Sequence, residues 1–129
     1  MAKTFMQIAE EAMAEVDGIT AEEVQQRMQQ DPNALLIDVR DAADISSTGL
    51  VPGGLNISLG MLPVKADLEL PELLREPGLK DRSRQVITTC HLGPNAARGA
   101  KLLKDMGFTN VAYMEGGMMA WKAADLPTE

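Results

Sequence analysis

Two short apolar runs, more than anything else in the chain, limit how it can fold. Leu35, Leu36, Ile37 and Val39 make the first, bounded by turn residues. The β-branched stretch 85–89 makes the second, with charged residues upstream and Cys90 at its carboxyl end. Runs of this length and make-up suit strands buried on both faces of a parallel sheet. Such a sheet has to be covered on both sides by the segments that connect its strands, and the rest of the sequence supplies candidates for them.

Over 4–16, Phe5, Ile8, Ala9, Ala12, Met13 and Val16 recur at three- and four-residue spacing, which puts them on one face of a helix ending near Asp17 and Gly18. Thr20 and Glu23 have capping-box spacing at the head of a second helix, which runs to about Gln30 and is stopped by Asp31, Pro32 and Asn33. Pro52, Gly53 and Gly54 make a turn into a short strand at Leu55, Asn56 and Ile57. The stretch 59–84 holds Pro63, Pro71 and Pro77 and reads as a loop with one or two short helices, one of them at 70–74. Over 96–106, Ala96, Ala100, Leu103 and Met106 share a helical face, and Gly107 supplies the left-handed C-terminal residue. Val111, Ala112 and Tyr113 predict a last strand, Gly116 and Gly117 a turn, and 118–124 a closing helix with Trp121. Helices alternate with strands throughout, so ligands are expected outside the strands' carboxyl ends.

At 129 residues the chain suits one domain, since two separate cores would each be too small to stand alone. The segment 1–18 is expected to be a helical extension and 19–129 the domain proper. With 45% hydrophobic and 24% charged residues the composition is that of a globular protein. A formal net charge of −7 argues against nucleic acid or an anionic membrane as a partner, because either would be repelled. The start lacks a basic flank followed by an apolar run, and no stretch approaches the length of a membrane span, so a cytoplasmic protein is expected. The single cysteine excludes an internal disulfide and a multi-thiolate zinc site. Neither a metal nor any other cofactor is expected.

The chemistry is expected in the segment Cys90, His91, Leu92, Gly93, Pro94, Asn95, Ala96, where a strand turns into a helix. Backbone amides converge at such a turn, and their partial positive charge favours the nucleophilic thiolate over the thiol. Gly93 lets the backbone curl closely, and Pro94 can begin the helix without wasting an amide. An isolated cysteine at a strand end can equally be a small buried hydrophobe. His91 is open to three readings: general base, hydrogen-bond donor or plain surface residue. The nine methionines are expected to fill the core, with Met118 and Met119 as the pair that could instead line a pocket mouth. Asp38 interrupts its apolar run, so with Arg40 it makes either a structural ion pair or part of a site.

Taken in order, these pieces resemble a known family. Leu36 to Arg40, then Val51 to Ile57, then the Cys90 loop with Gly93, then Gly107, Phe108, Asn110 and Val111, and last Gly116, Gly117, Ala120 and Trp121 follow the pattern of rhodanese-like single-domain sulfurtransferases. The resemblance implies an α/β three-layer sandwich: a five-stranded, mainly parallel sheet flanked by helices, here with an extra N-terminal helix. It also implies that Cys90 cycles between thiolate and persulfide. The thiolate would take the outer sulfur of a donor, amides of residues His91 to Ala96 would hold it, and a thiol or cyanide would remove it. By the same analogy Asp38 and Arg40 would brace the active-site loop. The implied partners are a sulfur donor, either a small persulfide or a protein persulfide, and a thiol acceptor.

This chain departs from that pattern. Basic residues often stand where it has His91 and Asn95, and a hydroxyl residue where it has Ala96. Losing a charged hydrogen-bond donor costs about 1.5 to 3 kcal/mol, so only weak activity with thiosulfate, a dianion, is expected. Phosphatases with a similar loop need an arginine at position 96 to clamp phosphate. A second class stays open, a non-catalytic binding or sulfur-carrier module. In that reading the N-terminal helix could form a homodimer or partner surface, or simply cover the sheet edge.

Overall fold

A computed structural model describes residues 2–129. Helix α1, Phe5–Met13, is opened by a full capping box: the Thr4 hydroxyl accepts from the Gln7 amide at 3.1 Å, and the Gln7 side chain accepts from the Thr4 amide at 2.8 Å. The elements then run β1 Asp17–Ile19, α2 Ala21–Gln30, β2 Leu35–Asp38, a 3-10 turn Ala42–Ser47, β3 Leu55–Asn56 and α3 Leu62–Ala66. Two further 3-10 turns, Glu72–Leu74 and Pro77–Leu79, lead to β4 Val86–Thr89, α4 Pro94–Asp105, β5 Val111–Met114 and α5 Gly117–Ala123.

The sheet has five strands in the order β1-β5-β4-β2-β3, and every pairing is parallel. Residues alternate between its two faces, as the period of a strand requires. Leu35, Ile37 and Val86 join the core under α1, α3 and α4. Leu36, Ile87 and Ala112 face the other way, with Val24 of α2 and Met118 and Trp121 of α5. The three-layer α/β expectation is therefore met.

Three local expectations change. Helix α1 stops at Met13 rather than running to 16, because Asp17–Ile19 is an edge strand paired with Ala112, Tyr113 and Met114. The sheet thus begins inside the 1–18 segment expected to be an extension. Nor is α1 detached: Ala9 and Ala12 are buried in its packing against α4, and the Lys104 ammonium donates to the Glu15 carbonyl at 2.6 Å. At α2 the Thr20 hydroxyl caps the Glu23 amide at 3.2 Å, but the Glu23 carboxylate lies 3.6 Å from Arg27 instead of closing the box. Within 59–84 the helix falls at 62–66, and the expected 70–74 helix is a single 3-10 turn preceded by Pro71. Of the methionines, Met114 and Met118 are buried whereas Met6, Met61 and Met119 are largely exposed.

Candidate active site

Strands β2 and β4 are neighbours, and the chain leaves them in opposite directions: β2 leads to β3 at one edge, β4 to β5 on the other side. A crevice opens at such a reversal, beyond the carboxyl ends of the strands. Arg40 follows β2 and Cys90 follows β4, and both line one cleft of about 520 Å³.

Cys90 is 3% exposed and forms the floor of that cleft. Its Sγ accepts a hydrogen bond from the Gly93 amide at 3.0 Å. Gly93 has a φ of 125°, and a Cβ there would lie 3.3 Å from the Gly116 nitrogen. Only glycine lets the loop curl back onto the sulfur without strain.

Helix α5 holds the loop from behind. The Met118 amide donates to the Cys90 carbonyl at 2.8 Å, and the Met119 amide donates to the His91 carbonyl at 3.1 Å. In a trans peptide the N–H points opposite to the C=O. Pinning these two oxygens on α5 therefore turns the His91 and Leu92 N–H groups away from it, and α5 supplies no wall of the cleft.

The cleft walls come from distant parts of the chain. Val39, Leu59, Leu92 and Pro94 are apolar; Asp41, Asp44 and Ser47 stand on the side of the first 3-10 turn; His91 and Asn95 come from the Cys90 loop; and Phe5 reaches in from α1. Phe5 is 48% exposed, with the Arg98 guanidinium 5.8 Å from its ring centre. Arg98 in turn donates to the Asn95 side-chain oxygen at 2.9 Å.

Arg40 is a wall residue with no donor to spare. Its Nε lies 3.0 and 3.2 Å from the Asp38 carboxylate oxygens, and Nη2 donates to Asp38 Oδ2 at 2.7 Å and to the Gly49 carbonyl at 3.2 Å. Nη1 donates to the Thr48 hydroxyl at 2.8 Å and to the Asp44 carbonyl at 3.3 Å. All five N–H groups of a guanidinium are thereby engaged. Asp38 is fully buried and Arg40 nearly so.

Of the residues expected at the site, Cys90, His91, Leu92, Pro94 and Asn95 line the cleft, and Gly93 contributes its amide. Ala96 does not line it: it is fully buried, and its carbonyl accepts from the Thr88 hydroxyl at 2.6 Å. Asp38 and Arg40 form the ion pair, but their bonds brace the 44–49 segment of the opposite wall rather than the Cys90 loop. Met118 and Met119 stay out of the cleft. The sequence reading missed Phe5, Asp41, Asp44, Ser47 and Leu59, all of which line the cleft. Phe5 carried an apolar signal that was assigned to the helix's packing face, and the two aspartates carried none beyond following Arg40.

The family model for the rhodanese-like domain matches residues 20–124. The chain belongs to the rhodanese-like domain family. A sulfurtransferase from Allochromatium vinosum is 27% identical to this rhodanese-like chain over 112 residues, 87% of this chain and 94% of the relative. Among solved structures, a protein of unknown function from Rhodopseudomonas palustris, described as a possible tyrosine phosphatase, superposes with a TM-score of 0.90. It is 26% identical and covers 100% of this chain and 96% of its own. The polysulfide-sulfur transferase homodimer of Wolinella succinogenes has a TM-score of 0.77 and 26% identity, over 97% of this chain and 86% of that one. Among the described residues no helix is long and apolar enough to cross a membrane.

Proposed function

We propose that this rhodanese-like protein is a sulfurtransferase that carries one sulfane sulfur atom as a persulfide on Cys90. The observation that carries the proposal is the 3.0 Å hydrogen bond from the Gly93 amide to a thiol at the floor of an open cleft. The Cys90 thiolate attacks the outer sulfur of a donor persulfide, the bond to the donor's inner sulfur breaks, and the donor leaves as a thiolate. The amides of the loop then face the bound sulfur. With no second cysteine in the chain, the acceptor thiol comes from outside.

Thiosulfate is a poor donor in this reading. The loop positions where basic residues would meet the dianion hold His91 and Asn95, and Arg40 is saturated by its own partners. The same geometry speaks against phosphate-ester chemistry, because Arg98 is turned to Asn95 and Phe5 and does not line the cleft.

The test is intact mass spectrometry after incubation with glutathione persulfide, inorganic polysulfide or thiosulfate. A gain of about 32 Da, one persulfide sulfur, is expected with the first two and only weakly with thiosulfate, and it is expected to vanish in Cys90→Ser. A native protein that gains nothing from any of the donors is a binding module and not a sulfur carrier.

A further inference from the structure

The charge inside the cleft is not balanced. Its charged wall residues are Arg40, Asp41 and Asp44, and the Arg40 charge is matched by the Asp38 carboxylate at 2.7 Å. Asp41 and Asp44 are exposed, and neither carboxylate enters a salt bridge among the described residues. His91 is the other ionisable wall residue. The neighbouring cation, Arg98, lines a separate depression with Leu59, Gly60 and Leu102. The cleft lining therefore offers a ligand two carboxylates outside any salt bridge and no cation with a free donor, and Arg98 stands outside it, against Asn95 and Phe5.

We infer that Asp41 and Asp44 select the charge of the acceptor thiol that takes sulfur from Cys90. The cleft takes a thiol whose neighbouring group is an ammonium or guanidinium, and it disfavours one that sits beside a carboxylate. This deepens the sulfur-transfer reading and rests on it. In the step concerned, the acceptor thiol releases its proton to solvent and its thiolate attacks the outer sulfur of the Cys90 persulfide. The bond between that sulfur and Cys90 Sγ breaks, its electron pair stays on Sγ, and the acceptor departs as the new persulfide. No oxidant or reductant is consumed.

Cysteamine and 3-mercaptopropionate are thiols of similar size and opposite charge, which makes them suitable probes. Cys90 is loaded with inorganic polysulfide and desalted, and the loss of the outer sulfur to each thiol is followed by mass. The two thiols differ in intrinsic reactivity, so the quotient of their rates is compared between the native protein and Asp41→Asn/Asp44→Asn, where that difference cancels. The quotient is expected to fall about tenfold in the variant, the low end of what surface fields do to encounter rates. It is also expected to fall in the native protein at 1 M salt, where screening acts over about 3 Å.

A second pair, the amidated peptides Lys-Cys-Lys and Glu-Cys-Glu, tells small partners from polypeptides. A fall confined to the peptides upholds the inference and makes the partner a basic segment of a protein. Quotients that agree within about twofold between the two proteins and at both salt concentrations overturn the inference and leave sulfur transfer standing. If neither thiol removes sulfur from a loaded Cys90 in either protein, the sulfur-transfer reading itself falls.

Discussion

The Met118 amide donates to the Cys90 carbonyl at 2.8 Å, across a gap that only a glycine at 117 leaves open. A Cβ on Gly117 would lie 2.5 Å from the Cys90 oxygen and 2.7 Å from the His91 carbonyl carbon and oxygen, with φ at 57°. Gly117→Ala is thus expected to push the loop off α5 and slow persulfide loading at least tenfold. Gly53→Ala serves as the control: φ there is 80° but a Cβ would meet nothing within 4 Å. It is expected to lose about 1–2 kcal/mol to left-handed strain while loading at the native rate. Loading rates and urea midpoints of the two variants check the contrast.

The Asp38–Arg40 pair is expected to behave as a structural unit. Arg40→Met leaves a fully buried carboxylate unpaired, which costs about 3–5 kcal/mol. Asp38→Leu/Arg40→Met removes both charges and is expected to recover most of that loss. Equal urea midpoints for the single and double variants would show that the two charges do not depend on each other.

Asn95 lines the cleft opposite its acidic side, so Asn95→Arg brings a guanidinium with free donors to the Cys90 loop. Thiosulfate loading of Cys90 is expected to rise severalfold, because a charged donor contributes about 1.5–3 kcal/mol to an anion contact. An unchanged or lower rate by intact mass would place the obstacle to thiosulfate somewhere other than charge.

Tyr113 is 8% exposed, and burial, with a smaller contribution from the Glu115 charge, raises its hydroxyl pKa above the ordinary value. The folded state therefore holds this proton more tightly than the unfolded state does. Stability is full below the unfolded value of about 10 and falls as pH rises from there through the folded value. Tyr113→Phe is expected to flatten the decline of Tm above pH ~10. Lys101, its pKa raised by Asp105 and Glu15, titrates in the same range in both proteins, so the difference between their slopes belongs to Tyr113.

The central strands, α4 and the Cys90 loop were legible because their signals are local: apolar runs, a helical stripe and a glycine beside a cysteine. Strand β1 was not, because Asp17, Gly18 and Ile19 carry no β pattern and are held by pairing with Ala112 to Met114 far along the chain. The same reason hid most of the cleft. Phe5 and the two aspartates become site residues only when α1 docks on α4 and the 3-10 turn folds over β2. Gly116 falls in the expected turn, but Gly117 already opens α5, and only the folded chain shows that it lies against the Cys90 backbone. The role expected of Arg40 pointed to the right neighbourhood and the wrong wall, since sequence spacing does not say which carbonyls a guanidinium reaches.

That guanidinium also narrows what can replace it. A lysine would keep the positive sign but bring three N–H groups where five are engaged, so acceptors among Asp38, Thr48 and Gly49 would be left bare in a dry interior. The position therefore discriminates against its nearest chemical cousin by shape rather than by charge.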